Sequence, residues 1–241
     1  MCYNISITPK ALDLQVRFGA TFANLESFEP VYSVNAFSFP ELPVISNEDK
    51  ERIQYYRWGL IPSWVKNVAS SHTIRQQTLN ARAETIFEKP SFRHSIRSKR
   101  CLILADGFFE WKHEKRATYT YYIRLTDHSA FAIAGIWDSW TNPETGTVVR
   151  TCSVITTAAN SLLEKVHNTK KRMPVILKKE YEDKWLEETL MDEQIHSLLL
   201  PYNADEMEAY TVKKGFNNLG FNVTNSDVTK QHVFPELVKL N

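Results

Sequence analysis

A cysteine at the second position of the chain, Cys2, can do chemistry that no internal cysteine offers. Once the initiator methionine is removed, which a small second residue permits, Cys2 carries an α-amine and a thiol on neighbouring carbons. Their reference pKa values, about 7.7–8.0 and about 8.5, leave part of each in nucleophilic form near neutrality. An aldehyde meeting this pair forms a Schiff base through the amine, and the thiol then closes a five-membered thiazolidine. The competing reading is a cysteine that lies second by chance and packs as a small apolar group.

Three further constellations could support such a nucleophile. In Asp106-Gly107-Phe108-Phe109-Glu110-Trp111, three large aromatics flank Glu110 in the sequence, an environment that disfavours the carboxylate and raises its pKa towards that of a general acid; a structural hydrogen bond is the alternative. In Val166-His167-Asn168-Thr169-Lys170-Lys171-Arg172-Met173-Pro174, His167 titrates near neutrality and could shuttle protons, while Lys170, Lys171 and Arg172 are placed to hold phosphate. In Asn80-Ala81-Arg82-Ala83-Glu84-Thr85, an amide beside a guanidinium could grip a nucleotide, or Asn80 could simply cap a helix. Trp58, Trp64 and Trp111 sit in loop-like contexts where exposed rings could stack on unpaired bases. The histidines show no paired spacing, so a metal site built from Cys2, Glu110 and His167 has little to support it, and no metal or other cofactor is expected.

The elements that must position these residues read as mainly β. Runs at 100–105, 119–125, 130–136 and 148–156 are apolar and bounded by polar or turn residues, and 174–177 is a further short strand. Asn142-Pro143-Glu144-Thr145-Gly146 predicts a hairpin loop. Helices are expected at 82–87 and 91–97, at 161–164, and at 180–190. Strands in meander order with helices inserted between them imply an α+β fold around a strongly curved sheet, and without a Gly- or Pro-rich linker one domain, residues 1–241, is expected.

Composition excludes several classes. At 241 residues, 43% apolar and 24% charged, the chain is neither disordered nor fibrous. The formal charge of +1 gives no global field for a polyanion, so any nucleic-acid footprint must be local. Residues 89–100 hold five basic residues and 165–179 hold six, with no acid in either, while 180–193 holds seven acids against one lysine. The two basic strips read either as a polyanion groove or as ordinary solvated surface. Three cysteines, an odd and sparse set, do not make a disulfide framework and suit a reducing cytosol. Neither a signal sequence nor a membrane-spanning run is evident, so a soluble, cytoplasmic protein is expected.

Taken in order, Met1-Cys2, Trp58-Gly59-Leu60-Ile61-Pro62-Ser63-Trp64, the Asn80, Glu110 and His167 motifs, Ile155-Thr156-Thr157-Ala158-Ala159-Asn160 and Arg172-Met173-Pro174 resemble the SRAP (SOS-response-associated peptidase) family, which processes abasic sites in DNA. The resemblance spans most of the chain. It implies an SRAP-like fold of mixed curved sheets forming a β-barrel-like core with flanking helices. It also implies an enzyme of the SOS and DNA-damage response with lyase-type chemistry. After loss of Met1, Cys2 would capture the ring-opened sugar of an abasic site in single-stranded DNA as a thiazolidine crosslink that protects the lesion during replication. Cys2, Asn80, Glu110 and His167 would be catalytic, with Arg82, Arg172, Lys170 and Lys171 on phosphates and Trp64 against a neighbouring base. The protein would act as a cytoplasmic monomer, nucleoid-associated when bound to DNA and away from membranes. Two rivals are an N-terminal-nucleophile cysteine peptidase acting on its own terminus or other peptides, and a non-covalent single-strand binder. Relatives commonly continue Cys-Gly-Arg where this chain has Cys2-Tyr3-Asn4, and many keep a shorter gap than the four residues, Asn168 to Lys171, that separate His167 from Arg172.

Overall fold

A computed structural model of the chain describes residues 2–25, 28–114, 117–215 and 222–237. In chain order the elements are β1 (Asn4–Ile7), α1 (Ala11–Phe18), β2 (Thr21–Phe22), β3 (Val31–Asn35), β4 (Glu41–Ser46), β5 (Asp49–Trp58), α2 (Val68–Gln77), β6 (Asn80–Arg82), α3 (Ser95–Ser98), β7 (Arg100–Ala105), β8 (Gly107–Glu114), β9 (Ala117–Leu125), β10 (Phe131–Thr141) and β11 (Val148–Ala158). They continue with α4 (Ser161–Val166), β12 (Arg172–Pro174), β13 (Ile176–Leu177), α5 (Lys179–Trp185), α6 (Asp192–Leu198), β14 (Met207–Thr211) and β15 (Asn222–Val223).

One sheet runs β12-β11-β10-β7-β4-β5-β2, and β11 also pairs with β5, which closes β10, β7, β4, β5 and β11 into a five-stranded barrel. The expected barrel-like α+β core is therefore present. Its interior is filled by side chains such as Val44, Ile103, Ile133 and Val154, all fully buried. A second sheet, β14-β9-β8-β1-β3-β15, packs beside the barrel. The other expected strands recur, β7 with the anticipated bounds, β10 running on to Thr141 and β11 to Ala158, whereas the strand expected at 174–177 is split into β12 and β13, which pair with β11 and β10 respectively. The predicted hairpin loop joins β10 to β11: Gly146 N–H donates to the Asn142 carbonyl at 2.8 Å, with Gly146 at φ 72°, the region where glycine carries no Cβ penalty.

The helices depart further from expectation. Residues 82–87 are not helical throughout: β6 pairs parallel with β11 (Asn80 opposite Val154, Arg82 opposite Thr156), and only Ala83–Thr85 turns as a 3-10 helix. A sheet-edge pairing thus overrides local helix propensity. The helix expected at 180–190 stops at Trp185, because the buried guanidinium of Arg100 inserts at its end and donates from Nε to the Trp185 carbonyl at 2.8 Å.

This arrangement also commits three of the five cations of the first basic strip, leaving Lys89 and Arg93 exposed. Arg100 is spent on main-chain carbonyls, Lys99 reaches Asp138 at 2.5 Å, and Arg97 reaches Asp192 of the acidic stretch at 2.6 Å. Glu182 of that stretch holds Arg17 in a two-pronged pair at 2.7 and 2.9 Å. The acidic run is thus partly the counter-charge of the basic one. No helix among the described residues is long and apolar enough to cross a membrane.

Candidate active site

Cys2 is separated by Tyr3 alone from β1, an inner strand flanked by β8 and β3, so the sheet fixes where the terminus lies. The Tyr3 carbonyl accepts the Ala36 N–H at 2.8 Å, and the Cys2 side chain is fully buried with Sγ 4.0 Å from the Asn4 carbonyl. Burial, reinforced by nearby Glu110, pushes the thiol well above its ordinary value. Met1 lies outside the described residues.

Glu110 comes from β8, directly across from Tyr121 of β9. Strand alternation puts Phe108 and Glu110 on one face, while Phe109 and Trp111 turn to the other and pack with Tyr122, Val212 and Val228. The immediate sequence neighbours therefore do not frame the carboxyl; the body of the fold, on the Phe108 and Tyr121 side, does. Glu110 is 2% exposed, and that burial raises its pKa to about 8.

His167 is the residue at which α4 ends. The helix is started by Asn160, whose side chain accepts the Leu163 N–H at 2.9 Å and so fixes the register that delivers His167 about two turns later. Its Nδ1 lies 3.0 Å from the Arg172 carbonyl and 3.4 Å from Glu110 Oε2. A carbonyl only accepts, so Nδ1 carries the hydrogen and, in the neutral ring, Nε2 keeps the lone pair. Desolvation pulls the His167 pKa down to about 4. At neutral pH the pair is a neutral acid beside a neutral base, not an ion pair.

Asn80 and Arg82 lie two apart on β6 and share a face. Neither Oδ1 nor Nδ2 of Asn80 has a partner among the described residues, although both atoms are buried. A carboxamide held without partners is costly unless something else binds it. Asn80 caps no helix. Arg82 is exposed and close enough to Tyr3 to act on its phenol, which burial, Glu110 and Cys2 push up and Arg82 pulls down. Tyr3 thereby ties together the terminus, Glu110 and the β6 residues, and its ring packs on Phe37 with centroids 4.8 Å apart. Sequence reading passed over Tyr3 as a site residue, and only its position next to Cys2 signalled it.

The remaining expected contacts divide. Arg172 is largely committed: Nη1 to Glu84 at 2.5 Å and Nη2 to the Thr156 carbonyl at 2.7 Å. Lys170 and Lys171 are exposed on the loop after His167, with Lys171 3.9 Å from Glu164. Trp64 is 55% exposed, held out by a loop anchored at both ends: Gly59 N–H to the Cys152 carbonyl at 2.9 Å and Ser63 N–H to Asp138 at 2.8 Å. Trp58, by contrast, is fully buried, with its indole N–H on the Leu79 carbonyl at 2.8 Å, so it offers no stacking surface. Trp111 is partly buried in the small cluster behind β8. Among the described residues no group of three or more histidine, cysteine and acidic side chains is arranged to hold a metal.

Fold and site define an α+β barrel protein whose thiol lies near a neutral carboxyl, itself in contact with a neutral imidazole, where two sheets meet. A family model described as SOS response associated peptidase (SRAP) matches residues 1–219, and the chain belongs to that family. It is 43% identical over 193 residues to the abasic site processing protein YoqW of Bacillus subtilis (strain 168), covering 79% of this chain and 82% of that one. It is 30% identical to the abasic site processing protein YMR114C of Saccharomyces cerevisiae, covering 77% of this chain and 49% of that longer protein. A crystal structure of a protein from Bacteroides thetaiotaomicron superposes with a TM-score of 0.91 at 40% identity, over 96% of this chain and all of that one.

Proposed function

We propose that this chain processes abasic sites in single-stranded DNA by forming a thiazolidine crosslink through Cys2 after removal of Met1. The observation that carries the reading is the buried, protonated Glu110 next to neutral His167 and within electrostatic reach of Cys2. Family membership and relatives named for abasic site processing support the lesion as substrate.

The steps follow from the groups present. Glu110 donates a proton to the sugar ring oxygen as C1′ opens to the aldehyde, and the resulting carboxylate takes the proton that the C1′ hydroxyl gives up. The Cys2 amine adds to that carbon, and the resulting hydroxyl leaves as water with a proton from the acid, giving an imine. The thiol then adds to the imine carbon while Nε2 of His167 takes the sulfur-bound proton and Glu110 gives one to the imine nitrogen; the imidazolium then passes its Nδ1 proton to the Glu110 carboxylate, which restores both neutral groups. One water is released overall, and no oxidant or cofactor is needed. Asn80 satisfies its carboxamide on the opened sugar, Arg82, Lys170 and Lys171 hold flanking phosphates, and Arg172 adds its charge while bracing Glu84 and Thr156. A nucleophile this deeply set reaches a sugar carbon only when the strand is unpaired and can bend inward. All four catalytic groups come from one chain, so a monomer suffices.

Incubation with a single-stranded oligonucleotide carrying one abasic site tests this: wild type gives a denaturant-resistant adduct and Cys2→Ala gives none. Equal adduct from both would overturn the proposal, and salt-labile retention alone would indicate a non-covalent binder.

A further inference from the structure

We propose that Asn168 is a positioning residue that docks the His167 loop onto the strand carrying Glu110, by standing in for the strand that β8 lacks at that point. The inference rests on the reading of the site given above. β1 covers β8 only at Gly107 and Phe108. Further along, at His113, the backbone N–H and C=O point away from β9, because a residue in an antiparallel strand sends both groups to the same side. The Asn168 carboxamide meets both: Nδ2 donates to the His113 carbonyl at 2.7 Å, and Oδ1 accepts the His113 N–H at 3.1 Å. A side-chain amide has the donor and acceptor of a peptide group, so Asn168 extends the sheet by one rung.

The loop is otherwise a short closed turn. Lys171 N–H donates to the His167 carbonyl at 2.8 Å and Ala159 N–H to the Lys171 carbonyl at 3.0 Å, and Lys171 sits at φ 48°, unusual for a side chain with a Cβ. These bonds shape the turn and tie it to the end of β11, but none reaches β8. The Asn168 bonds do, three residues along the strand from Glu110, and Asn168 is the next residue after His167. The distance between imidazole and carboxyl is therefore set from two sides, by the end of α4 and by Asn168.

Asn168→Ala and Asn168→Asp test the role, the second keeping the acceptor and losing the donor. The groups that bear on the pair are the amino terminus, which acts on both members, Cys2 and Tyr3 on the Glu110 side, and the Arg172 carbonyl, His113 and Lys170 on the His167 side. With saturating abasic single-stranded DNA, Asn168→Ala is expected to crosslink on the order of tenfold more slowly, and Asn168→Asp at an intermediate rate, with affinity for undamaged single strands unchanged. The alkaline limb of the rate profile is expected to move to lower pH as water reaches Glu110. Independently of any activity, nuclear magnetic resonance titration of His167 is expected to give a midpoint near 4 in wild type and a higher one in Asn168→Ala. Lower thermal stability with rate, pH profile and His167 titration all as in wild type would mean a merely structural bond and overturn the inference. A wild type that forms no adduct would instead overturn the proposed function, leaving the His167 titration to decide whether Asn168 positions the pair.

Discussion

His167 Nδ1 and Glu110 Oε2 stand 3.4 Å apart, and burial keeps both groups uncharged at neutral pH. A buried ion pair would have locked the two together. A neutral acid next to a neutral base instead leaves one proton to give and one lone pair to receive it, which is what forming and closing an imine requires.

Crosslinking slows as pH rises past about 8, because Glu110 must be protonated to act and its folded pKa lies there. The rate of adduct formation across pH 6 to 10 checks this. Glu110→Gln is expected to be slower by about 10²–10⁴ and to lose that limb. A limb of the same position and slope in the variant would remove Glu110 from the acid role.

The same carboxyl makes stability depend on pH. The folded chain keeps the Glu110 proton up to about 8, while the unfolded chain releases it from about 4.5, so this group lowers stability progressively between those values and by a constant amount above them. Glu110→Gln lacks the penalty. Relative to wild type it should gain stability from pH 5 to pH 8, on the order of 3–4 kcal/mol from the shift between 4.5 and about 8. Thermal melts at both pH values read the difference, and an equal offset at each would contradict it.

Gly59 turns the chain out of the barrel towards Trp64 at φ 101°, and a Cβ there would meet Arg75 Cγ at 2.6 Å and the Arg75 carbonyl oxygen at 3.0 Å. Arg75 has little room to yield, since it donates to the Phe39 carbonyl at 3.1 Å and lies over the Phe39 ring. Gly59→Ala should cost about 2–4 kcal/mol, combining the left-handed backbone with the clash. Chemical denaturation measures it, and a loss below about 1 kcal/mol would refute the account of this turn.

Trp64 contributes little to the core, so Trp64→Ala should change stability by less than about 0.5 kcal/mol. Its loss should still weaken single-strand binding by about 1–3 kcal/mol if the ring stacks on a base. Fluorescence anisotropy with a labelled oligonucleotide decides, and undiminished affinity would take Trp64 out of the interface.

Much of this was legible in the chain itself. Apolar runs bounded by turn residues located β7, β10 and β11, and the ordered motifs singled out Cys2, Glu110 and His167 as one set. Other features depend on partners distant in sequence. Residues 80–82 are a strand only because β11 offers an edge to pair with, and Arg100 ends a helix 85 residues away. Strand alternation also reassigned the surroundings of Glu110, since Phe109 and Trp111 face away from it. The Asn168 contact carries no local signature, because it is defined by His113 across from it, and the only local sign of Tyr3 is its place next to Cys2.

The central claim is tested most directly by the mass and chemistry of the adduct with an abasic single strand. Wild type should give a species of protein lacking Met1 plus oligonucleotide minus one water, stable without reducing agent and mapping to Cys2. Cys2→Ser keeps an amine but has no thiol, and should give a stable adduct only after borohydride reduction. An adduct that retains Met1, maps elsewhere, or forms equally well and equally stably in Cys2→Ser would contradict the account.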